Sequence, residues 1–316
     1  MSGSVLITGG AGFIGSHIAE AYLAAGWSVT CLDDLSRGKR EQVPSGAKFV
    51  QADVRDRAAF DAIADGRPDV VIHQAAQIDV RVSVDEPALD ASINLVGFAN
   101  VLAGVAAGKV RRVVFASSGG VVYGDPSVLP TPEPTATLPI SPYGVSKLAG
   151  EHYLRVLGTL HGFEGVALRY ANVYGPRQDP KSEAGVVSIF VSRLLDGRAL
   201  TIFGDGTQTR DYVFVGDVAR ANLLAGSAEV SRGDRLDLPA FNIATGRETS
   251  VNDLAGHVGR AIGKQPVIEY APARAGELFR SCLDVSKASS KLKWTPQVTF
   301  DEGMKALAGW FEGSVR

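Results

Sequence analysis

The sequence predicts a doubly wound α/β fold: a parallel sheet with helices on both faces and a smaller C-terminal domain interleaved with it. Three observations point there. Short apolar runs alternate with helical stretches through the first half of the chain. The runs are continuously apolar rather than alternating, as in strands buried on both faces. A glycine-rich turn separates the first run from the first helical stretch.

The elements follow in order. "SVLIT" (4–8) reads as a buried strand, and "FIGSHIAEAYLAAG" (13–26) as a helix with Gly26 past its C-terminus. "SVTCLD" (28–33), "AKFVQADV" (47–54), "DVVIHQAA" (69–76) and "RRVVFASS" (111–118) read as further strands. Long helices are expected from about Asp90 to Ala107 and from about Tyr143 to Leu160. Parallel strands joined this way need right-handed crossovers. The Pro-rich stretch 124–142 must be loop. After "LRYANVYGPRQDP" (168–180) the elements shorten, while "TRDYVFVGDVARA" (209–221) is expected to return to the first domain. The expected division is 1–172 plus about 212–246 for the sheet domain, and about 173–211 plus 247–316 for the second.

Composition narrows the function classes. The chain has 316 residues, a formal charge of −2 and 45% hydrophobic residues, enough for an ample core. Its Lys and Arg residues are spread out, so neither nucleic acid nor a membrane surface is an expected partner. No apolar run reads as long enough to span a bilayer, and no cleavable signal pattern is evident. Cys31 and Cys282 lie far apart without metal or redox spacing, which suits a reducing cytoplasm. The five histidines fall in separate elements, so no metal site is expected.

"LITGGAGFIGSH" (6–17) places Gly9, Gly10, Gly12 and Gly15 between strand and helix. Glycines there allow a tight turn, close approach of backbone to a pyrophosphate, and close helix–strand packing. The helix N-terminus, beginning at Phe13 and Ile14, offers unpaired N–H groups to the anion. Asp33 ends the next strand, 18 residues after Gly15, and Asp34 follows it. A carboxylate there accepts hydrogen bonds from a ribose diol and repels a 2′-phosphate, favouring NAD over NADP. Arg37 and Lys39 lie nearby and pull the other way. This is the signature of a Rossmann-type domain. Asp53, at the end of the third strand, either holds the adenine edge or caps a helix.

"SPYGVSK" (141–147) supplies the chemistry. Tyr143 and Lys147 stand at i and i+4, on one face of a helix. A cation beside a phenol favours phenolate, so Tyr143 is expected to titrate low enough to act as a general base towards a hydroxyl. Such a pair is common by chance; beside a dinucleotide loop it gains meaning.

Together these motifs resemble the extended short-chain dehydrogenase/reductases, in particular NAD-dependent nucleotide-sugar epimerases of the UDP-glucose 4-epimerase type. The resemblance rests on "TGGAGFIG" (8–15), "HQAA" (73–76), "SSGGVVYG" (117–124), "SPYGVSK", "RYANVYGPRQ" (169–178), "GDGTQTRDYVFVGDVA" (204–219), "NIATG" (242–246) and "RAGE" (274–277). It implies reversible inversion at C4 of a UDP-hexose through a 4-keto sugar, with bound NAD and no net redox. It also implies a homodimer, paired through the helices at 90–107 and 143–160.

The resemblance further implies that Val54, Gln74, Ala75, Ala76 and Tyr170 help line the cofactor site, with Tyr143 and Lys147. Asn172 and Arg210 would contact the diphosphate, and Arg274 and Glu277 phosphate and ribose. Gln77 and Asn94 are candidates for the sugar or cofactor walls. Ser281 occupies a position that flanks the sugar 2-substituent in relatives, so N-acetylated sugars are expected to fit. Relatives carry Ser or Thr where this chain has Gly119; Ser118, then Ser117, or a water is expected to replace it. Related dehydratases place acidic residues next, where Gly120 and Val121 stand here, so elimination chemistry is not expected. The alternatives are UDP-glucuronate or UDP-pentose 4-epimerisation, or a non-catalytic NAD-binding scaffold.

Overall fold

The computed structural model describes residues 3–180, 185–229, 239–273 and 278–314. Its strands are β1 Ser4–Thr8, β2 Ser28–Asp33, β3 Lys48–Gln51, β4 Val70–His73, β5 Arg112–Ser118, β6 Glu164–Tyr170, β7 Asn172–Tyr174, β8 Leu200–Phe203, β9 Thr209–Arg210, β10 Tyr212–Phe214, β11 Ala240–Ile243, β12 Thr249–Ser250 and β13 Ile268–Ala271. Its helices are α1 Phe13–Ala24, α2 Arg57–Ala64, α3 Val80–Asp85, α4 Pro87–Ala91, α5 Gly97–Gly108, α6 Gly119–Val122, α7 Pro142–His161, α8 Val186–Leu195, α9 Val215–Ser227, α10 Val251–Ile262 and α11 Phe300–Ser314.

Seven parallel strands form the main sheet in the order β11-β6-β5-β4-β1-β2-β3. The order reverses between β1 and β4, which opens a crevice at the C-terminal ends of those strands. The continuous apolar runs are explained by burial on both sides. Val5 and Ile7 of β1 pack into one cluster with Ile18 and Tyr22 of α1 and Val218 and Ala221 of α9. Leu6, between them, packs on the opposite face with Ile63 of α2 and Phe98, Val101 and Leu102 of α5. The segment 209–221 thus does return to the sheet layer through α9, as expected.

β3 and β4 end before Asp53 and Gln74, earlier than the apolar pattern suggested. The remainder of each run becomes loop at the crevice. The expected helix from Asp90 to Ala107 is α4 and α5 joined by a wide π-type turn, Ser92–Val96. Contrary to the sequence expectation, Pro87–Gly108 is long and apolar enough, by length and composition, to cross a membrane. Its apolar side chains have another use: Phe98, Val101, Leu102 and Val105 are buried against the sheet and α2.

α7 begins where Ser141 accepts a hydrogen bond from Gly144 N (3.1 Å) and Pro142 pre-sets the first turn. Gly162, at φ 84°, ends it. Gly150 brings α7 close to β5: a Cβ there would stand 2.6 Å from Phe115 Cζ. A separate hydrophobic cluster gathers Phe190 and Val191 of α8, Leu254 and Val258 of α10, and Met304 and Leu307 of α11.

Candidate active site

The glycine turn after β1 is held by close backbone contacts. Gly9 adopts φ 68°, and a Cβ on it would stand 2.8 Å from Ala75 N. A Cβ at Gly10 would meet Cys31 at 2.6 Å, and one at Gly15 would collide with the Gly9 carbonyl. The turn therefore lies flat against β2 and the "HQAA" loop, and α1 starts directly from it. No side chain caps α1 at Gly12, so its first-turn N–H groups face the crevice without a carbonyl one turn back. At the end of β2, Asp33 accepts from Ala11 N (3.0 Å) and Leu35 N (2.9 Å). Burial raises its pKa, and these two bonds oppose the rise. Each carboxylate oxygen keeps acceptor capacity suited to a diol. The donor set and the glycine cradle fit a dinucleotide.

On the other side of the crevice, Lys147 is buried and donates to the Ala116 carbonyl (2.9 Å). Its Nζ lies 5.6 Å from the Tyr143 ring centroid. Burial lowers the lysine to about 8, against an opposing pull from the Asp90 carboxylate. Tyr143 departs from the sequence expectation. Burial pushes its phenol above the ordinary value, and Asp90 adds to the rise. Removing phenolate from water outweighs the nearby ammonium, so the protein's own charges do not acidify Tyr143.

Residues 5–244 match the NAD dependent epimerase/dehydratase family. The chain belongs to that family. It is 44% identical over 311 residues to a UDP-glucose 4-epimerase of Mycolicibacterium smegmatis, covering 97% of each chain. Among solved structures, the UDP-glucose 4-epimerase of Thermotoga maritima with UDP-glucose has a TM-score of 0.93 at 44% identity, covering 99% of this chain and 100% of that one. The Thermus thermophilus UDP-glucose 4-epimerase in complex with NAD has a TM-score of 0.91 at 44% identity, covering 98% of this chain and 99% of that one.

Within this family scaffold, several expected site residues prove to be committed to structure. Gln77 is one correction. Its Nε2 donates to the Asp79 carbonyl (2.8 Å) and Asp90 (3.1 Å), and its Oε1 accepts from Asp79 N (2.5 Å). Both amide N–H donors are used within the fold, so it has no donor left for a sugar. Asn94 is tied to Gln77 and Asp90 in the same way. The Tyr170 hydroxyl is likewise committed, to Gln74 (2.9 Å) and Asn222 (2.8 Å), and burial pushes it up to about 12. These amide and hydroxyl contacts are internal to the fold.

Ser117 is a further correction. It is buried and donates to Glu151 (2.6 Å), which also holds Arg169. It belongs to an internal network, and its one hydroxyl proton is spent there. Ser118, half-buried at the start of α6, is free of that network. Gly119 is hemmed in: a Cβ there would collide with Leu283.

The remaining positions divide as follows. Asp34 is exposed and accepts from Ser36 in a local turn. Asp53 is gripped by Arg55, whose hydrogen bonds hold it below the usual carboxylate range. It does not cap α2, whose N-cap is Asp56, so the capping alternative is dropped. Val54 is buried, and Ala75 N donates to Thr8 Oγ1 (3.3 Å); Ala76 follows in the same loop. Asn172 and Arg210 are half-buried, and Ser281 is buried. Arg210 donates to the Thr209 carbonyl. Arg274 and Glu277 lie outside the described residues.

Sequence reasoning missed Asp90 and Ser146, which join α4 to α7 beside Lys147 (2.5 Å). The available signal was Ser146 itself, adjacent to the lysine in the motif. It also missed Asp211, inside the quoted "TRDYVFVGD" stretch, which accepts from Thr245 and Gly246 and fastens their loop.

Proposed function

We propose that this chain is a UDP-hexose 4-epimerase that interconverts UDP-glucose and UDP-galactose. The observation supporting this is the pairing of Tyr143 and Lys147 on α7, with Nζ 5.6 Å from the phenol ring, in a chain that shares fold and close sequence similarity with UDP-glucose 4-epimerases. The glycine turn, the start of α1 and Asp33 would hold the cofactor. Oxidised NAD held there would supply a reversible hydride acceptor and a positive charge.

Tyr143 takes the proton from the sugar 4-hydroxyl and later returns it. Burial raises the phenol, and the Lys147 ammonium is the cation of this chain placed to favour its phenolate. Ser118 would hold the reacting hydroxyl. Inversion requires the 4-keto sugar to present its opposite face while its UDP end stays held, the role assigned to Asn172, Arg210, Arg274 and Glu277. The small Ser281 leaves room for an N-acetyl group.

Two features of assembly belong to the same reading. The division into 1–172 plus about 212–246, and 173–211 plus 247–316, is supported by the separate hydrophobic cluster of α8, α10 and α11. A homodimer is supported by exposed apolar side chains on adjoining helices: Leu89 and Val96, then Val145, Tyr153, Val156 and Leu160 of α7. A cytoplasmic setting suits the two buried, unbridged cysteines. The test is to give purified protein UDP-glucose without added cofactor. UDP-galactose should form, using NAD that co-purifies; no product even with NAD supplied would refute the reading.

A further inference from the structure

We propose that Asp90 is the buried counter-charge of the Tyr143–Lys147 pair, tied to their helix through Ser146. The inference rests on the epimerase reading above.

Asp90 is wholly buried. Its carboxylate accepts from Ser146 Oγ (2.5 Å), Asn94 Nδ2 (2.9 Å) and Gln77 Nε2 (3.1 Å). All three partners are neutral donors, which an acceptor-only carboxylate satisfies without any ion pair. Burying a charge this way is costly unless a compensating charge lies near. Lys147, adjacent to Ser146 in sequence and equally buried, is that charge. The two do not touch; the ammonium donates instead to Ala116 O. At this remove Asp90 supports the ammonium without occupying its remaining donors.

The surroundings leave this role to Asp90. β4 brings His73, which burial pushes down to about 3, so it is neutral near pH 7. β6 brings Arg169, balanced by Glu151 of α7. Tyr123 follows α6 and bonds to that same arginine. Arg112 of β5 pairs with Glu164. α3 carries Arg81 and Asp85, both exposed. The turn 92–96 and α5 carry no titratable side chain. Among the described residues, Asp90 is therefore the negative charge inside this layer that no adjoining cation neutralises by contact, and it raises both Tyr143 and Lys147.

The sign of its removal follows. Without the negative charge, Lys147 gives up its proton at lower pH, and Tyr143 does the same. Both limbs of the pH–rate profile should slide towards acid together. The expected shift is about one pH unit or more, since at an effective dielectric of about 20 a unit charge moves a neighbour's pKa by about one unit even from about 10 Å.

The experiment measures kcat/KM against pH for the holoenzyme, with UDP-glucose as substrate, for wild type, D90N and D90E. The inference predicts an acid shift of both limbs in D90N and their return in D90E. A D90N profile lowered in height but unmoved would overturn it, because a merely structural residue acts that way. If D90N does not fold, S146A carries the test. It keeps the charge and cuts the link, so kcat should fall several-fold with the limbs in place, and an unchanged kcat would overturn the proposal. Wild type without turnover at any pH would instead refute the epimerase reading itself.

Discussion

Two neighbouring turns of α7 present their side chains to the same sheet and do opposite things. At Glu151 three hydrogen bonds engage both carboxylate oxygens. Its carboxylate takes Arg169 Nη2 at 2.6 Å and Nε at 2.9 Å, plus the Ser117 hydroxyl at 2.6 Å. Arg169 passes on to the Tyr123 hydroxyl (2.8 Å). One turn earlier, Lys147 is just as buried yet, among the described residues, has a single carbonyl for its three donors, and Tyr143 stands beside it half-buried. Burial is common to both turns; saturation of the hydrogen-bonding groups is not. The difference teaches that depth does not mark the reactive end of this ridge. Unused bonding capacity does.

The strongest way to break the comparison is to swap the effects. Tyr143→Phe should cut kcat by about 10²–10⁴-fold, the range of a general acid–base group, with the melting temperature nearly unchanged. Glu151→Ala should do the reverse. It strands a buried guanidinium, at a cost of about 3–5 kcal/mol in stability, while the folded fraction keeps its turnover. Denaturation and single-turnover assays on the two variants decide it; loss of activity without loss of stability in the second would collapse the distinction.

pH sharpens the same contrast. Lys147 sits at about 8, so kcat/KM should decline as pH rises through about 8 and the ammonium is lost. A profile flat across that region would mean that the lysine charge is not used. The smallest expected difference separates the two serines. Ser118→Ala should cost about tenfold in kcat, the worth of one hydrogen bond of about 1.4 kcal/mol. Ser117→Ala should instead lower stability by about 1 kcal/mol with kcat preserved.

The extent to which these features were legible in the sequence follows the range of the interactions behind them. β1 and β2 coincide with "SVLIT" and "SVTCLD" because burial on both faces writes an unbroken apolar run. The glycine turn and Asp33 were legible because backbone geometry demands those residue types locally. β3 and β4 were read too long, since small and apolar residues such as Ala52, Val54, Ala75 and Ala76 serve equally well in a loop packed on the crevice. The internal bonds of Gln77 and Ser117 were not legible because their partners, Asp90 and Glu151, stand 13 and 34 residues away. The phenol of Tyr143 was misjudged for another reason. Helical spacing reports that a lysine is near, but says nothing of how much water the fold removes.

The account stands or falls on where the hydrogen at the inverted carbon comes from. The direct measurement is to run UDP-glucose to equilibrium with the enzyme in heavy water and read the isotope at C4 of the UDP-galactose formed. Tyr143 exchanges only the hydroxyl proton, so C4 should retain its original hydrogen and carry no deuterium. Deuterium at C4 would show that carbon is deprotonated to solvent, and would contradict the mechanism.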